Sequence, residues 1–198
     1  MTPVSLAAAF ALVLVLAVAG FLAVTTYNDV VALRNRVTKA WANVDVALRQ
    51  RHDELPNYVD AVRGLMAFEK DVLAEVTARR AAYSDRDPIP RQAATSEATS
   101  AAVRQLFAVV ERYPEVRSAA SVASLQAEVA RLEDLIADRR ELYNDQVYRY
   151  NTRIAQVPAS LVAGLFGWRP QPFFTAAGDE LGRPDVSLGG TEQEAAEP

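Results

Sequence analysis

His52 is the only histidine in the 198 residues, and there is no cysteine. These two facts exclude more chemistry than any motif suggests. A di-iron bundle built on paired Glu-x-x-His motifs needs two histidines and is ruled out. Any histidine-based metal site would have to take its other ligands from carboxylates. Without cysteine there are no disulfides, thiolate metal sites, cysteine nucleophiles or lipoprotein anchor, and the redox compartment is unreadable. The sequence holds no Gly-x-Ser-x-Gly, no phosphate-binding glycine loop and no His-x-Glu deaminase signature. Scattered acids such as Asp45, Asp60, Glu69, Asp71, Glu128 and Glu133 could meet inside a bundle, but such residues more often line solvated helix faces. The expectation is a chain that is not an enzyme and needs no cofactor or metal. Its net charge of −4 brings no expectation of a nucleic-acid partner.

Three local constellations stand out as candidates for interaction or architecture. The first is the polar run from Arg49 through Arg51, His52 and Asp53 to Pro56 and Asn57. Proline is tolerated at a helix start, so the run reads as a helix-helix corner with Pro56 opening the next helix. Its basic residues would then face the negative end of the preceding helix. Functionally it could be a polar docking corner, pH-sensitive through His52.

The second constellation is the repeated pair Tyr143-Asn144 and Tyr150-Asn151, seven residues apart and so on one side of a helix, with Arg140 just before them. Asparagine costs helix propensity, and its usual structural role inside a bundle is to fix register. The tyrosines can bury their rings while their hydroxyls find partners. The third is the apolar segment from Leu161 through Phe166, Gly167 and Trp168 to Phe173-Phe174, with Pro158, Pro170 and Pro172 around it. It could cap the open end of a bundle, lie at a membrane interface or bind a partner.

The elements that must position these residues are helical. The composition, 51% hydrophobic and 23% charged, looks average only because the two classes are segregated. No charged side chain occurs from Met1 to Asn28, and Val4–Val24 is an apolar run broken only by Ser5 and Gly20. As a helix it is about 31 Å long, which matches a hydrocarbon core of about 30 Å. A transmembrane helix over 4–24 is the reading adopted. Its rival is a signal peptide cut after Ala17-Val18-Ala19, although no Lys or Arg precedes the run. Arg34, Arg36 and Lys39 follow it against one acid, Asp29, so the positive-inside rule places the N-terminus outside and the remainder in the cytoplasm.

Beyond Tyr27, apolar residues recur at three and four. Leu33, Val37, Trp41, Val44 and Leu48 continue the first helix to about residue 51, as one rod about 70 Å long. Val59, Val62, Met66, Leu73 and Val76 predict a second helix over 57–83. A loop follows at Ser84–Pro90, then a third helix over 96–112 and a fourth over 121–156, stopped by Pro158. Four helices, each apolar on one side, bury their stripes best as an antiparallel bundle. The expected class is therefore all-α: an antiparallel bundle of about four helices over 27–176 behind the transmembrane helix. From Asp179 to Pro198 the chain has six acids and one arginine and reads as a disordered acidic tail.

This order of motifs resembles the LemA family of bacterial membrane proteins. The likeness rests on Tyr27-Asn28, Leu33-Arg34-Asn35-Arg36-Val37, Ala40-Trp41, Asp45-Val46, Arg51-His52-Asp53, Pro56-Asn57 and Val62-Arg63-Gly64. It continues through Tyr113-Pro114-Glu115, Leu125-Gln126, Glu133, Ile136-Ala137, Arg140, Tyr143-Asn144-Asp145, Tyr150-Asn151-Thr152, Pro158, Leu161, Phe166-Gly167 and Phe174. Asp138, Arg139, Leu142 and Glu54 depart from the pattern. The resemblance implies a membrane-anchored bundle without established catalytic activity, carries over no active-site residue, and points by analogy to membrane organisation or adaptor roles. The partners it suggests are the membrane and other membrane or cytoplasmic proteins, with self-association possible. The competing function is a cleaved, exported bundle that binds a small ligand in its core.

Overall fold

A computed structural model describes residues 3–64 and 70–175. Its described part contains six α-helices and no strand: α1 (Pro3–Arg63), α2 (Lys70–Ala81), α3 (Ile89–Val110), α4 (Pro114–Arg117), α5 (Ala120–Ala155) and α6 (Ala159–Phe166). The all-α class expected from the periodicity is the class observed. The acidic tail at 179–198 lies outside the described residues, as do Met66 and Glu69.

The rod is longer than the sequence suggested. α1 runs unbroken for 61 residues, about 90 Å at 1.5 Å per residue. Its apolar start is the one stretch among the described helices long and apolar enough to cross a membrane, and from Ala9 to Val24 its side chains lie bare of protein. The rest of α1 is the backbone of the bundle. α5 lies antiparallel along it, so that Arg153 at the end of α5 meets Asp29 at 2.6 Å while Val122 and Val116 reach the level of Leu55–Val62. The α2–α3 hairpin packs on the far half of this pair.

The anticipated corner at Pro56 does not exist. Proline has no N–H, so inside a helix it leaves the carbonyl four residues back without a donor. Here that carbonyl belongs to His52, and the Arg80 guanidinium of α2 donates to it at 2.9 Å. The orphaned acceptor is satisfied from a neighbouring helix, and the fixed φ of proline is itself helical. α1 therefore passes through Pro56, and the second helix expected over 57–83 is divided between the end of α1 and α2.

α3 also begins earlier than expected, at Ile89 instead of residue 96. Pro90 fits the first turn of a helix, and Gln92 bonds the carbonyls of Asp85 and Asp87 just before it. The loop is tied to α1 by Arg49, which pairs with both Asp45 and Asp85 at 2.9 and 3.2 Å.

The core divides into two apolar clusters. The far one gathers Leu55, Tyr58, Val62, Val76, Leu106, Val110 and Val129 from α1, α2, α3 and α5. The near one joins Val37, Val44, Leu48, Ile136, Tyr143, Val147 and Tyr150 with Phe174 from the chain after α6.

If Arg80 stands in for the amide that Pro56 lacks, the two residues must be energetically coupled. Arg80→Met should cost about 1–2 kcal/mol in the native background and less than half of that beside Pro56→Ala, where the helix supplies its own donor. Chemical denaturation of the full chain in detergent micelles reads the cycle. Equal costs in both backgrounds would refute the coupling.

Candidate functional site

Arg51 does not face a helix end. It lies mid-helix with 3% of its surface exposed, on the stripe that includes Val44, Leu48, Leu55 and Val62. An arginine cannot shed its charge, so burial requires its donors to be filled. One terminal nitrogen donates to the Ser100 hydroxyl at 2.8 Å and to Glu133 at 3.0 Å, and the other to the Ser96 hydroxyl at 2.9 Å. Ser100 in turn donates to the second Glu133 oxygen. Ser96 and Ser100 are four apart and share one face of α3. This polar layer joins α1, α3 and α5 and separates the two apolar clusters. Glu133 is thus no solvated surface acid.

The rest of the first constellation disperses. Asp53 and Asn57 are exposed, and Asn57 bonds Glu54 within its own helix at 3.2 Å. The His52 ring packs 5.5 Å from Tyr83, and its buried Nδ1 has no hydrogen-bond partner. Burial and then the nearby Arg80 charge lower the His52 pKa below the ordinary histidine value, with Asp53 opposing. The ring is therefore neutral at neutral pH.

The second and third constellations, in contrast, form one device. After α6 the chain turns back along α5 as an extended strap. Asn151 accepts from the Gln171 N–H at 2.8 Å and donates to the Gln171 carbonyl at 2.9 Å. Asn144 does the same with Phe174, at 2.8 and 3.3 Å. Each carboxamide acts as a neighbouring strand would, satisfying both backbone groups of one residue.

The spacing explains the repeat. Seven residues of helix rise about 10.5 Å, and three residues of extended chain cover about 10 Å. Pro170 and Pro172 have no N–H to satisfy, and the Pro172 carbonyl accepts from the Tyr143 hydroxyl at 2.8 Å. Burial pushes the Tyr143 phenol up to about 12, so it remains a donor. Phe174 is buried, and its ring and that of Tyr143 lie 5.9 and 5.4 Å from Trp41.

Gly167 makes the turn into the strap possible. Its φ of 65° is left-handed, and the Trp168 N–H closes back onto the Ala163 carbonyl at 2.9 Å. Trp168 thereby returns over Phe166 at 5.5 Å, and both rings meet Tyr27 of α1, at 5.4 and 4.9 Å.

Arg140 is half-buried and approaches Glu97 of α3 at 3.5 Å. The two line a groove of about 390 Å³ between α3 and α5, with Arg104, Glu133 and Asp134. Arg139 is half-buried in a shallow depression with Leu135, Asp138 and Leu142. Among the described residues no three of His, Cys, Asp and Glu come together as a metal-binding group.

The LemA family model matches residues 40–188, a stretch that includes most of the bundle, α6 and the strap. The chain belongs to the LemA family. Two magnetosome proteins of Paramagnetospirillum magneticum, MamQ 2 and MamQ 1, are each 34% identical to it over 73 residues. MamQ of Magnetospirillum gryphiswaldense is 33% identical over 73 residues. Each match covers 37% of this chain and 27% of the relative, so it speaks for a part of those proteins only.

The Arg51 layer of this LemA-family chain leaves only a faint signal in the sequence. Arg51, Ser96 with Ser100, and Glu133 each interrupt an apolar stripe, on three different helices.

Two outcomes follow for this LemA-family chain. Arg51→Ala should destabilise it by about 3–5 kcal/mol because Glu133 loses its buried counter-charge, whereas the exposed Arg149→Ala should cost under about 0.5 kcal/mol; denaturation midpoints in micelles compare them. Asn144→Ala with Asn151→Ala should free the strap, seen as faster amide exchange at Gln171 and Phe174 with α5 still protected. Unchanged exchange at both amides would show that the asparagines do not hold it.

Proposed function

We propose that this chain is a non-enzymatic, single-pass scaffold or adaptor in membrane organisation, with its bundle in the cytoplasm. The observation that carries the reading is the continuity of α1, from an apolar span through Pro56 to Arg63. A helix without a joint transmits position, so the bundle stands at a set height and angle above the bilayer instead of swinging on a linker. Such a frame suits holding partners in place.

The charged side chains just beyond the span support the orientation. Arg34, Arg36 and Lys39 are exposed on α1, and positive charge next to a span favours the cytoplasmic side. The polar groups inside the bundle are used in holding it together: Arg51, Glu133, Asn144 and Asn151 all bond within the chain. What remains for partners is the outer surface, including the mixed-charge groove between α3 and α5 that Glu97, Arg104 and Arg140 line. The partners would be other membrane or cytoplasmic proteins, or further copies of this chain. The relatives named as magnetosome proteins support a role in membrane organisation.

The reading is tested in native membranes. The full chain should resist alkaline carbonate extraction, a protease should reach the bundle only in inverted vesicles, and a photo-crosslinker at Arg104 should give a few discrete protein adducts. A mature chain beginning near Gly20 and found in the soluble fraction would overturn it in favour of an exported, ligand-binding bundle.

A further inference from the structure

α6 is built the wrong way round for a helix of a soluble bundle. Its buried face carries the small residues Ala159 and Ala163, which let it approach α1 and α5 closely. Its outer face carries Leu161 and Leu165, 73% and 82% exposed, flanked by Val157 at 78% and Phe166 at 54%. An ordinary amphipathic helix would bury the leucines and present polar groups. No charged side chain occurs between Ile154 and Trp168, so this outer face has no polar rim of its own on α6.

Its position says what covers it. The apolar run of α1 ends at Val24, and Tyr27 is three residues further, about 4.5 Å along the axis. Tyr27 is the residue on which Phe166 and Trp168 stack. α6 therefore lies level with the end of the span, where a tyrosine and a tryptophan would sit at the boundary between headgroups and acyl chains. At eight residues it is about 12 Å long, too short to cross a bilayer but suited to lie within its surface. The exposed Arg169 follows directly, placed for lipid phosphates.

We infer that the outer face of α6, with Val157, Leu161, Leu165 and Phe166, inserts into the interfacial layer of the bilayer that α1 crosses. The inference rests on the membrane-anchored reading and adds a second attachment. With α1 and α6 both held, the bundle cannot rotate freely about the α1 axis, and the groove between α3 and α5 faces a set direction along the membrane.

The absence of cysteine allows a direct test on the full chain in vesicles of phosphatidylcholine and phosphatidylglycerol. Single-cysteine variants L161C and L165C, with L14C in the span and S118C at the far end as references, carry a nitrobenzoxadiazole dye. At 161 and 165 the dye should be quenched most by nitroxides placed near the headgroup, and iodide quenching should fall several-fold below that at 118. At 14 it should be quenched by nitroxides deep in the acyl chains. Iodide access at 165 equal to that at 118, with 14 still lipid-protected, would overturn the inference and leave the anchor standing. Iodide access at 14 as well would remove both. Shielding at 165 from iodide and lipid nitroxides alike would show that protein, a partner or a second copy, covers α6 instead of lipid.

Discussion

The bundle depends on satisfying one arginine. Arg51 is buried at the level where the two apolar clusters would otherwise merge, and its charge persists at any pH a protein meets. Only a carboxylate and two hydroxyls at the right height can answer its donors. Glu133 supplies the first from α5; Ser96 and Ser100 supply the others from α3. Apolar stripes alone tolerate sliding by a turn, because one leucine contact resembles the next. A fork of directed bonds does not. Moving α3 or α5 by one turn, about 5.4 Å, would strand the guanidinium and carboxylate without partners, at a cost of several kcal/mol. The layer thus sets the heights of three helices at one point.

From that point the structure reads outward in both directions. Toward the far end, Arg80 meets the carbonyl that Pro56 orphans, so α1 stays straight enough in its bonding to support α2 and α3. Toward the apolar end, α3 stops covering the α1–α5 pair, and the chain after α6 takes its place. The strap closes the open flank with Phe174 and is held by two asparagine carboxamides instead of a sheet. Its turn at Gly167 then brings Trp168 and Phe166 against Tyr27, so the bundle's last covering element ends beside the apolar stretch of α1.

Much of this was legible in the residues. The apolar run, the three-four periodicity and Pro158 defined α5 and the start of α1 to within a residue or two, because helix period and proline chemistry are local properties. The seven-residue spacing of Tyr143-Asn144 and Tyr150-Asn151 puts them on one side of α5, and that is the side the strap lies against. Its reading as register between helices did not extend to the strap, because Gln171 and Phe174 look like any loop residues until the chain turns at Gly167. Beside His52, Asp53 and Pro56, Arg51 resembles a cation at a solvated helix end, and only the fold shows it buried at mid-helix.

The sequence by itself determined the class, an apolar stretch long enough to cross a membrane, and the amphipathic faces, all of which follow from local spacing and transfer free energy. Tertiary structure alone decided what Pro56, Arg51 and the asparagines do. A proline breaks a helix unless a distant donor replaces its missing N–H. A buried arginine is untenable unless distant acceptors converge on it. An asparagine mid-helix is a weakness unless an extended segment comes to meet it. In each case the deciding group lies 20 or more residues away in the chain, and its effect exists only once folding has brought the two together.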